Sequence, residues 1–296
     1  MRKGEVPSGV LVVDKPAGPT SHDIVARTRS LLKIKVGHTG TLDPMATGVL
    51  PLVLGRATRL SRFFQSSDKE YVAEIRLGKT TDTFDGEGKV IEEKPVPRIS
   101  PRQSKQVLAQ FTGVIQQQAP MFSAVKVAGQ KLYELARRKR ESERPWRTVH
   151  VYRLELLEQT EETWSLRVHC SSGTYIRALA QEIGEALSCG AYLQNLRRIR
   201  SGTFDLYRAI PLDEIEHAWR KVFYPMEELL PELPRIDLHE QQAERVHHGN
   251  EIPQETEFAG EFCRLFHNEK LIAIGRVAPR NHIQPSIVLE TANREK

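Results

Sequence analysis

Residues 37–50 read GHTGTLDPMATGVL, a stretch of turn-forming residues that leads into an apolar segment. It contains three glycines, three hydroxyl residues, one histidine and a single carboxylate, Asp43. Pro44 pushes the backbone of Asp43 towards an extended conformation and holds its side chain on a stiff connection. The apolar residues from Val49 to Leu54 predict a buried strand directly after the stretch. The pattern indicates a carboxylate in a fixed position.

Asp43 has a purely local interpretation as well. Aspartate followed by proline is a good N-cap and first-turn pair for a helix. Gly48 and the strand pattern after it leave little room for such a helix, although an Asx-turn stays open. His38 and Asp43 make an incomplete metal set, because the sequence has no HExxH motif and no paired cysteines.

Other catalytic motifs are absent from the sequence. The glycines of residues 37–48 lack the GK[ST] ending of a phosphate-binding loop, and no GxGxxG spacing occurs. No GxSxG motif of a serine hydrolase is present. Because these motifs are absent, the sequence does not favour nucleotide hydrolysis or hydrolysis by a serine catalytic triad.

Strand and helix patterns alternate along the chain on both sides of this stretch. Helices are predicted from Ser21 as a capping residue, over 56–64, from Ser100, over 173–190 and over 212–222, and strands over 9–13, 49–54 and from Tyr71. Residues 147–159 and 163–172 predict a hairpin around Glu161 and Glu162. We therefore expect an α+β fold rather than a doubly wound parallel sheet.

Two regions suggest further organisation. Residues 224–235 contain three prolines and predict a linker, so we expect a catalytic domain over 1–230 and a small β domain over 231–296. Residues 131–147 contain seven basic and three acidic residues. This insert is either a solvated charged face or an arm that closes over a nucleic-acid backbone.

Composition points to an ordinary globular protein with a basic surface. The chain has 296 residues, a net charge of +5 and a pI near 9.1, which permits a polyanionic partner. Its three cysteines are widely spaced and form no disulfide pattern. The apolar run Val10 to Val13 is too short for a signal peptide or membrane span. We expect a cytoplasmic monomer that is soluble and has no membrane contact.

Arg177 and Tyr71 are the next informative positions. Arg177 falls in the first turn of the 173–190 helix, where the helix dipole disfavours a cation, so an anion should compensate it. Asp43 is one candidate, and the alternative is a structural surface ion pair. Tyr71 is either a core aromatic or a ring that stacks on an unpaired base. The run LRRIR, residues 196–200, adds cations suited to phosphate contacts.

Six motifs in chain order together resemble the TruB family of tRNA pseudouridine-55 synthases. They are DKPAGPTSHD (14–23), GHTGTLDPMATGVLP (37–51), DKEY (68–71), SAVK (123–126), GTYIR (173–177) and LRR (196–198). The resemblance covers residues 9 to about 210 and implies the pseudouridine synthase fold, a mixed and mainly antiparallel sheet flanked by helices. Residues 246–252, VHHGNEI, resemble part of a PUA-type RNA-binding module at the C-terminus.

The resemblance implies a reaction without cofactor or metal. The family converts a uridine in the T-loop of tRNA to pseudouridine by breaking the glycosidic bond, turning the uracil and rejoining it through C5. The partner is therefore the T-arm of tRNA, whose target base must be extruded into the enzyme. Asp43 falls on the catalytic aspartate of the family. Attack on C1′, addition to C6 and a route that begins with loss of the C2′ proton all stay open.

The resemblance also assigns roles to other positions. Arg177 would pair with Asp43, and Tyr71 would stack on the base and take the C2′ proton. The other implied substrate-binding residues are Lys15, which would support the catalytic loop, His38, which would contact flipped-out nucleotides, and Tyr175 and Leu196, which would line the uracil pocket. Two other functions remain as alternatives, namely an RNA-binding or tRNA-folding protein without essential catalysis and a metal-dependent nuclease.

Overall fold

The computed structural model describes most of the chain. The described residues are 7–123, 126–127, 129–132, 144–253, 260–278 and 282–290. Most of the basic insert predicted over 131–147 lies outside these ranges. Within them, one large mixed sheet and one smaller sheet account for most strands.

Among the described residues up to 225, helices lie between groups of strands. The strands are β1 (Gly9–Lys15), β2 (Val36–His38), β3 (Thr47–Leu54), β4 (Lys69–Leu77), β5 (Lys79–Thr81), β6 (Val90–Glu93), β7 (Gly113–Gln118), β8 (Lys126–Val127), β9 (Gln130–Lys131), β10 (Trp146–Gln159), β11 (Thr163–Cys170), β12 (Ala191–Ser201), β13 (Phe204–Asp205), β14 (Ile210–Pro211) and β15 (Phe223–Pro225). The α-helices are α1 (Ser21–Leu32), α2 (Ser61–Gln65), α3 (Pro101–Gln110), α4 (Ile176–Ala186) and α5 (Ile215–Ala218).

The large sheet has the order β14-β1-β3-β12-β4-β11-β10-β7, with β2, β13 and β15 paired to its members. Only the β1–β14 and β3–β12 pairs are parallel among its described pairings. The β10–β11 hairpin predicted around Glu161 and Glu162 is present. The prediction of a mixed, mainly antiparallel α+β fold is therefore confirmed.

The main core lies between one face of this sheet and the helices. Alternate residues of β4, namely Tyr71, Ala73 and Ile75, join Trp164 and Leu166 of β11 in a single buried cluster. From the helices, α1 and α4 contribute Ile24, Val25, Leu179 and Ile183 to the same cluster. The period-two pattern of β4 thus places Tyr71 on the face that carries the helices.

The C-terminal residues form a separate sheet, as the sequence predicts. It contains β16 (Arg235–Asp237), β17 (Ile252–Pro253), β18 (Phe262–His267), β19 (Lys270–Ala278) and β20 (His282–Val288), beside α6 (Glu240–His247). A second apolar cluster joins the two sheets, with Val10 and Val53 on one side and Phe266 and Ile287 on the other. The C-terminal β domain therefore packs on the large sheet.

Several predicted element boundaries are wrong. Thr20, not Ser21, caps α1 through a reciprocal bond pair with Asp23, while the hydroxyl of Ser21 is bonded to Leu42. The helix predicted over 173–190 begins at Ile176 and ends at Ala186. The helices predicted over 56–64 and 212–222 each break into 3₁₀ and α segments.

The run LRRIR lies inside β12, a strand of eleven residues. The charged residues of the run make this strand difficult to recognise in the sequence. Arg198 is only 1% exposed and donates to Val49 O and Gly40 O, at 2.7 and 3.1 Å. Arg197 pairs with Asp14. The expectation that the whole run serves phosphate contacts is therefore wrong for the buried Arg198.

A glycine allows β3 to approach β12. Gly48 has φ +100°, and a Cβ there would lie 2.2 Å from the carbonyl oxygen of Arg198. Gly18 has φ +104°, but nothing lies within 4 Å of its Cβ position. A side chain at either position would be strained by the positive φ, but the two positions differ in the space available for it.

We expect Gly48→Ala to lower the free energy of unfolding by at least about 3 kcal/mol, because strain and overlap with Arg198 O add together. Gly18→Ala should cost only about 1–2 kcal/mol, from strain alone. Urea unfolding followed by circular dichroism measures both. Equal losses of unfolding free energy in the two variants would contradict the close approach of β3 to β12.

Candidate active site

A cavity of about 580 Å³ opens on the helix-bearing side of the large sheet. Five of the residues singled out in the sequence line it, namely Asp43, Tyr71, Tyr175, Arg177 and Leu196. They come from the loop before β3, from β4, from the start of α4 and from β12. The fold thus brings together positions that lie up to 153 residues apart in the chain.

The loop that carries Asp43 is held by bonds from outside it. The ammonium group of Lys15 donates to Pro16 O, Pro44 O and Ala46 O, at 2.9, 2.9 and 2.7 Å. The hydroxyl of Ser21 donates to Leu42 O and accepts from Leu42 N–H. These contacts fix the backbone immediately before and after the carboxylate.

The carboxylate of Asp43 faces Arg177. Its Oδ2 lies 2.9 Å from Arg177 Nε, and its Oδ1 accepts from Nη2 at 3.3 Å. The Asp43 side chain is 34% exposed, whereas that of Arg177 is 6% exposed. The residues after Asp43 form a turn and then β3. The helix-cap interpretation of Asp43 is therefore excluded.

Arg177 binds a second carboxylate that the sequence analysis missed. Its Nη1 lies 3.2 Å from Asp85 Oδ2, and the Asp85 side chain is 6% exposed. Asp85 is fixed in turn by Thr83 Oγ1 and by the backbone N–H of Glu87, at 2.6 and 3.1 Å. In the sequence, the FDGEG segment around Asp85 reads only as a turn. Only the expectation of an anion beside Arg177 indicated that a carboxylate such as Asp85 would lie there.

The remaining contacts of Arg177 are with backbone carbonyls. Nη1 also donates to Thr83 O at 3.1 Å, and Nη2 donates to Phe122 O at 3.0 Å. Because α4 begins at Ile176, the cation lies in its first turn, as predicted. One guanidinium therefore joins the Asp43 loop, the Asp85 turn, the segment after β7 and α4.

Tyr71 and Leu196 lie on neighbouring strands of the cavity wall. Leu196 is the register partner of Ala73, and Arg198 is the partner of Tyr71. Burial raises the pKa of the Tyr71 hydroxyl, and the nearby Arg198 guanidinium opposes that shift. The ring thus combines a buried apolar body with a hydroxyl beside a cation.

Tyr175 is positioned through its backbone. The side chain of Gln117 donates to Tyr175 O at 3.1 Å and accepts from Tyr175 N–H at 2.7 Å. The guanidinium of Arg147 lies 5.5 Å from the centre of the Tyr175 ring. Since Tyr175 directly precedes α4, Gln117 also fixes the start of the helix that carries Arg177.

Two other predicted residues, Lys15 and His38, are not among the residues that line the cavity. Lys15 is fully buried beneath the loop, and burial lowers its pKa to about 8. His38 ends β2 and is partly buried, and its pKa is lowered by burial and then by the Arg198 charge. Lys15 lies where it can support the Asp43 loop. The contact of His38 with flipped-out nucleotides stays a prediction.

Opposing effects act on the charge of Asp43. Burial raises the pKa of the Asp43 carboxyl, and the Arg177 guanidinium opposes that shift. The negative charge of Asp85 raises the same pKa, while Lys15 lowers it. Arg177 is thus the main group that favours the ionised carboxylate.

Within the described ranges, no cluster of three or more His, Cys, Asp or Glu residues has an arrangement that could hold a metal ion. No helix in the described part of the chain is both long and apolar enough to cross a membrane.

Known proteins are similar to this chain over most of its length. The profile of the TruB family pseudouridylate synthase N-terminal domain matches residues 28–176. The tRNA pseudouridylate synthase B C-terminal domain matches 177–231, and the pseudouridine synthase II TruB C-terminal domain matches 234–289. The chain belongs to the TruB family of pseudouridylate synthases. The prediction of an enzyme of this isomerase family is confirmed.

Two relatives of this TruB family chain are similar to it over 90% or more of their length. The tRNA pseudouridine synthase B of Azoarcus sp. (strain BH72) is 43% identical, with 90% of each chain covered. The protein of the same name from Solibacter usitatus (strain Ellin6076) is 40% identical, with 95% of this chain and 99% of the relative covered.

A solved structure shares the fold. A chain in the structure of an H/ACA RNP bound to a substrate RNA containing 2′-deoxyuridine superimposes with a TM-score of 0.73 at 28% identity. The similarity covers 96% of this chain and 86% of that chain. The pseudouridine synthase fold expected from the TruB motifs is therefore confirmed.

We expect Arg177→Lys to destabilise this TruB family protein by at least about 2 kcal/mol, because one ammonium cannot serve two carboxylates and two carbonyls. The matched control is Arg197→Lys, whose pair with Asp14 has side chains 42% and 30% exposed. That change should cost less than about 1 kcal/mol. Urea unfolding compares them, and equal losses would contradict the central place of Arg177.

Proposed function

We propose that the protein isomerises uridine 55 in the T-loop of tRNA to pseudouridine, with Asp43 as the catalytic carboxylate. One observation carries the proposal. Asp43 lies at the wall of a cavity, held by the nearly buried Arg177, in a chain of the TruB family. The names of the relatives, tRNA pseudouridine synthase B, support tRNA as the substrate.

The reaction needs no net gain or loss of atoms. The bond between C1′ and N1 breaks, the uracil turns, and a bond forms between C1′ and C5. C5 loses its proton and N1 gains one. The target base must first leave the T-loop, and its unstacking costs a few kcal/mol, which cavity contacts must offset.

Asp43 would meet the extruded nucleotide in its ionised form. A carboxylate can act as a nucleophile or base only when it is deprotonated and correctly oriented. The Arg177 pair supports both conditions, because it favours the charge and restricts the torsions of Asp43. Arg177 thus acts as a positioning residue, with Asp85 holding its other side.

The other cavity residues would bind the base. We assign Tyr71 to stacking on the uracil, and Tyr175 and Leu196 to the walls of the uracil pocket. Lys15 supports the loop from below. His38, at the end of β2, would contact nucleotides displaced with the target.

Two further regions would bind the rest of the RNA. The basic insert over 131–147 is proposed to contact the T-arm backbone, since its seven cations suit phosphates. We further propose that residues 1–230 form the catalytic domain and that residues 231–296 form a PUA-like RNA-binding domain.

We expect Asp43→Asn to reduce pseudouridine formation by at least about a thousandfold, because the amide can act neither as a nucleophile nor as a base. Tritium release from C5-labelled uridine in tRNA measures turnover, and filter binding should show that tRNA binding is retained. Asp205→Asn is the matched control, since Asp205 only caps Tyr207 N–H at the surface. Retained turnover in Asp43→Asn would reject the assignment of Asp43. A parent protein that remodels tRNA yet makes no pseudouridine would instead favour an RNA-binding or folding role.

The pH dependence should report the same carboxylate. Because burial raises the pKa of Asp43 above 3.8, its ionised form is lost as the pH falls through that raised value. We expect kcat/KM to decline on the acid side with a midpoint above pH 3.8, while circular dichroism shows a folded protein. Full activity down to pH 3.8 would contradict this role for Asp43.

A further inference from the structure

Ser123 lies at the cavity wall with a hydroxyl that lacks a partner. The residue is 5% exposed and lines the cavity, and its Oγ is buried without a hydrogen bond in the part of the chain that the structure describes. A buried polar group without a partner is rare in folded proteins and needs a physical explanation, because its desolvation is not compensated. A ligand that supplies the missing partner is one such explanation.

Three other hydroxyls that line the cavity have partners in the protein. Thr83 Oγ1 donates to Asp85 Oδ1, and Thr174 Oγ1 donates to Ser171 O, at 2.6 and 2.9 Å. Ser171 Oγ accepts from the backbone N–H of His150 at 2.9 Å. These three hydroxyls have protein partners, whereas the Oγ of Ser123 has none among the described residues.

Arg177 holds the residue that directly precedes Ser123. The preceding carbonyl, Phe122 O, accepts from Arg177 Nη2 at 3.0 Å. Ser123 is thus one residue from an anchored point beside the Asp43 pair. Its side chain has a single heavy-atom torsion with three staggered positions, so Oγ can change direction without any movement of the backbone.

A uracil in the cavity would need hydrogen-bond donors. It presents two carbonyl oxygens, which lose their partners when the base leaves the RNA. Asp43 and Asp85 are acceptors when ionised, and the Arg177 nitrogens already face protein oxygens. The unpaired hydroxyl of Ser123 is a donor at the same wall.

We infer that Ser123 Oγ–H donates a hydrogen bond to a carbonyl oxygen of the extruded uracil, which makes Ser123 a substrate-binding residue. The inference rests on the proposed function and adds a contact to it. It has an unusual consequence. Removing the hydroxyl removes an uncompensated buried group from the free protein, so stability should hold or rise while activity falls.

The test is Ser123→Ala in the full-length protein. We expect kcat/KM for pseudouridine formation in a T-arm RNA to fall about five- to tenfold, as for loss of one neutral hydrogen bond. The melting temperature should be unchanged or higher. Ser104→Ala is the matched control, because Ser104 is fully buried in α3 but its hydroxyl donates to Pro101 O at 3.1 Å. It should melt at a lower temperature and keep full activity.

Thio-substituted RNAs identify the acceptor. Sulfur is a weak hydrogen-bond acceptor, so the ratio of parent to Ser123→Ala activity should approach one when the bonded oxygen is replaced. Target nucleotides with 2-thiouridine and 4-thiouridine distinguish the two carbonyls. An unchanged ratio on both RNAs would overturn the assignment.

Other results separate this inference from the proposed function. Unchanged activity of Ser123→Ala, or a loss accompanied by a lower melting temperature, would overturn the inference while the function stands. A parent protein that makes no pseudouridine would contradict the proposed function, and the inference would fall with it.

Discussion

The guanidinium of Arg177, with a side chain only 6% exposed, contacts two carboxylates and two backbone carbonyls. Removing two charges from water is costly, and a buried ion pair is weak evidence for stability by itself. Its effect here is geometric. Four chain segments meet at one side chain, so the position of Asp43 depends on all of them.

Buried cations at and near the cavity bind backbone carbonyls that lie outside the regular hydrogen bonding of helices and strands. Lys15 binds Pro44 O and Ala46 O, which follow Asp43, and Arg198 binds Gly40 O before it and Val49 O after it. Lys69 binds Phe64 O and Gln65 O at the end of α2. A loop of glycines and hydroxyl residues thereby becomes a rigid support. Such preorganisation is what a catalytic carboxylate requires.

Local sequence patterns predicted some parts of the site around Asp43 and gave no indication of others. Val49–Leu54 and the alternation from Tyr71 were predictable because strand periodicity is local. Arg177 was identified because a cation in a first helical turn needs an anion. Asp85 was missed because its turn gives no sign of the distant partner. The charges of LRRIR suggested a segment exposed at the surface. Arg198 is buried because β12 pairs with β3 and β4, which lie far away in the sequence.

The central claim is that the Asp43 carboxylate, oriented by Arg177, meets the sugar or base of an extruded uridine. The most direct measurement is a crystal structure of the protein with a T-arm RNA. The account predicts the target base between Tyr71 and Leu196, with an Asp43 oxygen within about 3.5 Å of C1′ or of the uracil ring. A target base still stacked in the RNA, or an Asp43 side chain turned away from the nucleotide, would contradict it.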